Sequence, residues 1–254
     1  MSTTQALHAA GSVRPVGFRL WADRYFYFFM SWVTAVVVVY GFSRTISQAL
    51  FHPGIRPPAL LWVHGAVFFG WLGLFILQSA LVRTRNVKVH KRLGWYFAGI
   101  GAAIPVLGVA ITRVMSLFEI NVRHYDTVER LGFLAIPLQD MVAFTTAFGL
   151  AILWRKRPEY HRRLVLIATC TLTAAAWGRL PALINLPYIS FYAGVDALIV
   201  LGAVRDLIVN RRVHGIYLSF LPPLVLLQLG TVAIAEHRPE WWLRIGRAFL
   251  GMAG

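Results

Sequence analysis

The stretch ALLWVHGAVFFGWLGLFILQSALV, residues 59–82, runs for 24 positions without an Asp, Glu, Lys or Arg. An α-helix rises about 1.5 Å per residue, so this segment is long enough to cross the roughly 30 Å hydrocarbon core of a bilayer. Backbone polar groups in lipid need hydrogen-bond partners within their own segment, which makes such a stretch helical. The stretch therefore predicts a membrane span.

Comparable apolar stretches recur along the 254 residues. Hydrophobic residues make up 58% of the chain and charged residues 14%, with a mean hydropathy of +0.63, whereas soluble domains carry about 25% charged residues. We predict an all-α polytopic transmembrane helical bundle of about seven spans, at residues 24–43, 59–82, 93–114, 132–154, 164–181, 187–208 and 215–235. A polar N-terminal tail (1–20) precedes this bundle (21–236), and an interfacial segment with paired tryptophans (237–254) follows it.

The net charge of +15 is distributed in a way that predicts topology. Of the 25 Lys and Arg residues, 16 fall on one side of the predicted spans, mostly in the tight loops 83–92 and 155–163. Short loops rich in Lys and Arg stay on the cytoplasmic side. We therefore predict a multi-pass protein of the bacterial inner membrane with its N-terminus inside and its C-terminus outside. The basic loops favour lipid headgroups as partners and exclude a nucleic-acid interface, because they form no continuous basic face.

Gly94, Gly101 and Gly108 recur at intervals of seven residues in the third predicted span. A stripe of small residues allows neighbouring helix backbones to approach closely in lipid, which predicts a central position for this span. Ordinary enrichment of glycine in membrane helices remains the alternative.

Three helical hairpins, at residues 59–114, 132–181 and 187–235, follow a repeated pattern. Each has an ionisable residue in its first helix, then a basic loop, then a His that opens the second helix. The pairs are His64 with His90, Asp140 with His161, and Asp196 with His214. The first two copies match well and the third only loosely. Internal repeats of this kind are typical of multi-pass transporters, although gene duplication produces them in any membrane protein.

The chain also resembles a family of uncharacterised bacterial multi-pass membrane proteins, a domain of unknown function. The resemblance covers residues 59–181 and is carried by the intramembrane His64, the motif His90-Lys91-Arg92-Leu93-Gly94, the motif His161-Arg162-Arg163, and Arg179. Lys91 stands where the family pattern has Arg. The resemblance implies a fold and a set of positions, without an assigned reaction.

Polar groups inside a membrane are costly, which makes each of them a candidate for function. His64, Asp140, Arg179 and Asp196 all fall toward the outer half of the predicted bilayer, and we expect them to converge in one ligand-binding pocket. In this pocket Asp140 would pair with Arg179, and His64 would carry a proton or bind the ligand. Gln78, in the inner part of its span, could support the site. The alternative is a buried ion pair and a hydrogen-bonded His that only fix helix packing.

His90 and His161 each close a basic inner loop, so we expect them to lie at the same membrane face as an inner-face motif. They could contact lipid phosphate and backbone carbonyls, or serve as inner-side ligands. No metal site is expected, because the acidic and His residues of the 119–129 loop are mixed with arginines. The three lysines all fall in loops, which excludes a retinal Schiff base, and His-Glu-x-x-His is absent.

Three functions remain open from the sequence, and whether the protein is an enzyme stays undecided. The first is the binding or transport of a small apolar or amphipathic molecule, such as a lipid or quinone, at the outer-half pocket. The second is a haem-binding redox protein resembling the transmembrane cytochromes b, in which haem would be the cofactor. The third is a non-catalytic accessory subunit of a membrane complex, as a homo- or hetero-oligomer.

Overall fold

The computed structural model describes residues 17–51, 54–180, 182–183 and 186–252, and every regular element within these ranges is a helix. The helices are α1 (Phe18–Phe51), α2 (Leu60–Arg83), α3 (Val87–Asn121), α4 (Thr127–Phe133), α5 (Ala135–Leu153), α6 (Pro158–Thr171), α7 (Ala174–Trp177), α8 (Ile189–Asn210), α9 (Gly215–His237) and α10 (Glu240–Leu250). Most of the predicted polar tail, residues 1–16, lies outside the described ranges, and α1 begins at Phe18.

Five segments in the described chain are long and apolar enough to cross a membrane: 19–43, 59–83, 87–121, 127–153 and 215–237. The predicted count of about seven spans is therefore not confirmed. The predicted span 164–181 is divided between the 14-residue α6 and the four-residue α7. The predicted span 187–208 corresponds to α8, whose apolar sequence is interrupted by Asp196, Arg205 and Asp206.

The helices α6 to α8 nevertheless lie beside α1 between Asp23 and Gly41. At one end of the bundle, Arg205 near the end of α8 pairs with Asp23 near the start of α1. At the other end, the backbone of Ala176 in α7 packs so closely on Gly41 of α1 that a Cβ at Gly41 would overlap it. We call these the Asp23 end and the Gly41 end. The chain therefore travels from one end to the other through α6 and α7 and returns through α8.

The bundle centre is an aromatic cage around Trp71 of α2, whose side chain is fully buried. Its indole stacks on Phe97 of α3 at 4.2 Å between ring centres. Phe144 and Phe148 of α5 meet it edge-on at 5.2 and 5.3 Å. The indole Nε1 donates to the Thr169 hydroxyl of α6 at 3.3 Å, which supplies the hydrogen bond that the buried N–H can no longer form with water. The cage thus fixes four helices against one another.

Helix α3 approaches α5 through two of its three regularly spaced glycines. A Cβ at Gly101 would overlap the Phe148 ring, and one at Gly108 would overlap the Met141 side chain. Gly94, in contrast, has nothing within 4 Å of the position of a Cβ. The predicted close approach is therefore confirmed for Gly101 and Gly108 and is wrong for Gly94.

The C-terminal helix α10 packs on α4. Its buried residues Leu243, Gly246 and Leu250 face Leu131 and Leu134. The indole of Trp242 also donates to the Leu131 carbonyl at 2.9 Å. An amphipathic helix with this much apolar contact is anchored to the bundle as well as suited to a membrane surface.

Candidate functional site

A polar cluster lies where α5, α8 and α9 meet, and we call it the acidic cluster: Gln139, Asp140, Tyr192, Asp196 and Gln228. The Tyr192 hydroxyl donates to Gln139 Oε1 at 2.7 Å and also interacts with the Asp140 carboxyl. Tyr192 and Asp196 lie one turn apart on α8, a spacing that places their side chains on one face. Gln228 of α9 donates from Nε2 to Asp196 Oδ1 at 3.1 Å. Three helices thus place both carboxyl groups near Tyr192.

The acidic cluster has no cationic side chain as an ion-pair partner in the described part of the chain. Among the residues that the structure describes, neither Asp140 nor Asp196 takes part in an ion pair. Gln228 is 1% exposed, and its Oε1 is buried without a hydrogen-bond donor. Buried acceptors without donors cost free energy unless a ligand, proton or water supplies the missing contact. The cluster is therefore arranged to accept a proton or a cationic group.

Arg179 does not join this cluster. Its Nη1 donates to the Ala175 carbonyl at 2.6 Å, and its guanidinium carbon lies 4.5 Å from the centre of the Phe42 ring. No ion pair with Asp140 is formed in the described structure, so the predicted direct pairing of Asp140 with Arg179 is wrong. The physical reason is that a cation–π contact and a backbone carbonyl already satisfy the guanidinium.

His64 lies with Arg179 and outside the acidic cluster. Its ring is 4.0 Å from that of Phe68, one turn along α2, and it is close enough to the Arg179 guanidinium to interact with its charge. The His64 Nδ1 is buried without a partner in the described chain. The residues expected in a single pocket thus divide into two groups, with His64 and Arg179 in one and Asp140 and Asp196 in the other.

His90 and His161 lie next to each other, with 6.4 Å between their ring centres and the rings nearly perpendicular. Gln78 lies with this pair, because the backbone carbonyl of Gln78 contacts the His90 ring. Gln78 is therefore not a member of the acidic cluster. The third His of the repeated motif, His214, caps α9 by accepting a hydrogen bond from the Ile216 amide at 3.2 Å.

An ion-pair network at the Asp23 end was not predicted from the sequence. Arg163 of α6 donates from Nε and Nη2 to the two carboxylate oxygens of Asp206, each at 2.7 Å. Arg205 donates to the same carboxylate at 3.0 Å and also to Asp23. Arg163, Arg205 and Asp206 are each at most 2% exposed. The ring of Tyr27 lies beside the Arg205 guanidinium, 5.6 Å away. Burial on this scale requires the close pairing that is observed.

Glu159 extends the network to the protein surface. Its carboxylate accepts from Arg162 at 2.7 Å and from Arg163 at 2.8 Å. Partial burial raises the pKa of Glu159, but the hydrogen bond from Arg163 and the charges of both arginines outweigh it, so the pKa is lower than usual. Glu159 is therefore ionised at neutral pH and balances the charge of Arg162.

Sequence signals for these missed residues existed. Arg205 and Asp206 are adjacent in an otherwise apolar segment, which by itself indicates buried charge. Gln139 and Gln228 are single amides within apolar spans and gave no pattern. Their partners belong to helices distant in the sequence, so no local spacing connects them.

No family model, curated protein or solved structure matches this chain. Within the described ranges, no group of three or more His, Cys, Asp or Glu side chains is placed to hold a metal ion. The chemistry of the chain's own side chains therefore carries the functional argument.

Proposed function

We propose that this integral membrane protein binds or transports a small amphipathic molecule with a cationic group, and that the acidic cluster is its binding site. The observation that supports this most directly is the pair of carboxyl groups, Asp140 and Asp196, which have no cationic partner in the described structure. An acidic side chain in the middle of a membrane helix costs about 2.5–3.5 kcal/mol on insertion scales. A ligand cation would offset that cost.

The surrounding groups suit a cationic head. Gln228 Oε1 is a buried acceptor without a donor, and the Gln139 amide is oriented by its bond from Tyr192. Oxygen acceptors of this kind bind ammonium groups and protons, and they do not bind an anionic group. The apolar faces of α5, α8 and α9 around the cluster would contact the rest of an amphipathic molecule.

The location of this site follows from the predicted topology. Asp140 lies near the start of α5, the end of that helix that the basic loops assign to the outer half of the bilayer. The ligand would therefore enter from the outer leaflet of the bacterial inner membrane, with the N-terminus of the protein inside. Protonation of both carboxyl groups in the absence of the cation would keep the empty site neutral.

Binding of radiolabelled tetraphenylphosphonium, a lipophilic cation, to the detergent-purified protein tests this proposal. We expect saturable binding that weakens at least about tenfold in Asp140→Asn and in Asp196→Asn, because each removes a full negative charge. Glu236→Gln is the matched control, since Glu236 is an exposed acid on α9 and should leave binding unchanged. Absence of saturable binding, or equal loss in all three variants, would reject the cationic ligand. Displacement by a neutral quinone with no effect of either Asp variant would place the ligand elsewhere.

A further inference from the structure

A second polar layer lies at the opposite end of α2 from His64, and it is independent of the acidic cluster. We call it the histidine layer: Gln78, His90 and His161. Gln78 follows Trp71 by seven residues on α2, and His90 precedes Phe97 by seven on α3. Seven residues are about two turns, so both side chains lie on the faces that meet in the aromatic cage, roughly 10 Å further along. The 6.4 Å distance between the His90 and His161 ring centres agrees with this register.

His161 is held in one orientation by a backbone carbonyl. Its Nδ1 lies 2.9 Å from the Ala151 carbonyl oxygen of α5. A carbonyl can only accept, so Nδ1 carries the hydrogen and Nε2 is left with a free lone pair. An imidazole fixed in this way, with one nitrogen bound to a carbonyl and the other free, is the usual arrangement of a metal-binding His.

The other two members of the layer have buried atoms without partners. His90 Nδ1 is buried and has no hydrogen bond in the described structure, and the same holds for both side-chain atoms of Gln78. Gln78 is 6% exposed, so solvent does not supply the hydrogen bonds that its amide lacks. Leaving several polar atoms unsatisfied at one place is costly, and native proteins do so where a ligand, ion or water completes the contacts.

We propose that the histidine layer binds a divalent transition-metal ion of the copper or zinc class, with His90 Nδ1, His161 Nε2 and Gln78 Oε1 as its protein ligands. Imidazole nitrogen is the donor that these ions prefer, and an amide oxygen can serve as a weaker third ligand. Water or a small anion would fill the remaining position. With three protein ligands and one open position, the site has the form of an exchangeable site and differs from a closed structural one.

The charges around the layer are compatible with a bound cation. Arg162, which follows His161, is paired with Glu159 at 2.7 Å, so the charge of this neighbouring arginine is balanced. Lys91, which follows His90, is exposed. The neutral form of each imidazole is the form that binds a metal.

Copper binding to the tag-free, detergent-purified, chelator-treated protein tests the site. We expect about one Cu²⁺ per chain, with an electron paramagnetic resonance spectrum showing nitrogen couplings from two imidazoles. His90→Ala and His161→Ala should each weaken binding at least about tenfold, and Gln78→Leu by a smaller factor. His64→Ala is the matched control, because His64 lies at the other end of α2, and it should bind as the wild type does.

Any one of the following three results would overturn the copper or zinc site, and a fourth would replace it with haem. They are the absence of stoichiometric copper binding, a spectrum without imidazole nitrogen couplings, and equal weakening in the His64 control. A Soret band in the purified protein that is lost in both His90→Ala and His161→Ala would also overturn it, in favour of haem held by the same pair. If His161→Ala fails to fold because the Ala151 carbonyl loses its donor, the wild-type spectrum and His90→Ala decide the question.

Discussion

Arg163 and Asp206 form a two-pronged ion pair in the interior of the bundle, with both N–O distances at 2.7 Å and side-chain exposures of 1% and 0%. The pair joins α6 to α8, the two passes that are too short or too polar to qualify as membrane spans by composition. The fork of a guanidinium matches a carboxylate in geometry, so the pair fixes the rotation of one helix relative to the other. Its role is therefore to position α6 and α8 within the apolar bundle.

Removing one member of this pair should be more damaging than replacing both. Among the described residues, Arg163→Leu leaves Asp206 with Arg205 as its only cation, and Asp206→Leu leaves Arg163 with Glu159 as its only anion. Each should lower the free energy of unfolding by up to about 3–5 kcal/mol. The double variant Arg163→Met/Asp206→Leu removes both charges and should recover much of that loss. Unfolding in mixed detergent, followed by circular dichroism, measures all three. Single variants that cost less than about 1 kcal/mol would show that the pair is not a structural joint.

Asp140 and Arg179 should behave as independent residues. They form no ion pair in the described structure, so the effects of Asp140→Asn and Arg179→Gln on the free energy of unfolding should add within about 0.5 kcal/mol. Asp196 and Gln228 share a hydrogen bond at 3.1 Å, so Asp196→Leu and Gln228→Leu should show a coupling energy of about 0.5–1.5 kcal/mol. The two double-mutant cycles control one another. A coupling above about 1 kcal/mol between Asp140 and Arg179 would contradict the observed arrangement.

The apolar spans could be predicted from the sequence because length and hydropathy are local properties. The stretch 59–82 falls within one candidate span of the structure, 59–83. Partner choice among polar residues could not be predicted in the same way. Asp206 pairs with Arg163, 43 residues away, because α6 and α8 are in contact. The close backbone packing of Gly41 on Ala176 is likewise not encoded in any charge pattern. Arg179 is the opposite case, because a nearby aromatic ring and a backbone carbonyl contact its guanidinium and the expected pairing with Asp140 does not form.

The same substitution should have opposite effects at two glycines of α3. Gly108→Ala places a methyl group against Met141 and should destabilise the protein by about 1–3 kcal/mol through overpacking. Gly94→Ala meets nothing within 4 Å and should stabilise the helix by up to about 1 kcal/mol. Thermal unfolding of the two variants beside the wild type is sufficient. Equal destabilisation at both positions would mean that the α3–α5 contact is not formed as described.

The Glu159 carboxylate should contribute a pH-dependent part of the stability. Its pKa is lower in the folded protein than the ordinary value of about 4.5, because the hydrogen bond from Arg163 and the charges of Arg162 and Arg163 outweigh its partial burial. A group with a depressed folded-state pKa stabilises the protein above its unfolded pKa, and this contribution is lost as the pH falls through the folded pKa. The difference in melting temperature between the wild type and Glu159→Gln should therefore be present at pH 7 and disappear as the pH is lowered below about 4.5. Glu240→Gln, an exposed acid on α10, should show a smaller difference.

The last prediction separates a five-span from a seven-span topology. An inside N-terminus and an outside C-terminus follow from either count, so fusions at the C-terminus cannot distinguish them. The segment between α7 and α8 can, because it lies outside if α6 with α7 and then α8 cross the membrane, and inside if they do not. The structure places α7 at the Gly41 end of α1, opposite the Asp23–Arg205 pair, which favours crossing.

Leu186, half exposed in that segment, is the position to label. In a Cys170→Ala background, Leu186→Cys should react with a membrane-impermeant maleimide in intact cells, as should Val122→Cys in the predicted outer loop. Arg85→Cys, in the predicted inner loop, should react only after permeabilisation. If Leu186 behaves as Arg85 does, α6 to α8 do not cross and the bundle has five spans. If Val122 and Arg85 exchange their behaviour, the orientation deduced from the basic loops is inverted. The number of spans can still be determined, because Leu186 reacts as Val122 does in a seven-span bundle and as Arg85 does in a five-span bundle. If Leu186 labels with Val122, the charged pair Arg163–Asp206 lies within a seven-span bundle that shields it from lipid. This shielding is why α6 and α8 can cross a membrane without the apolar composition of the other five spans.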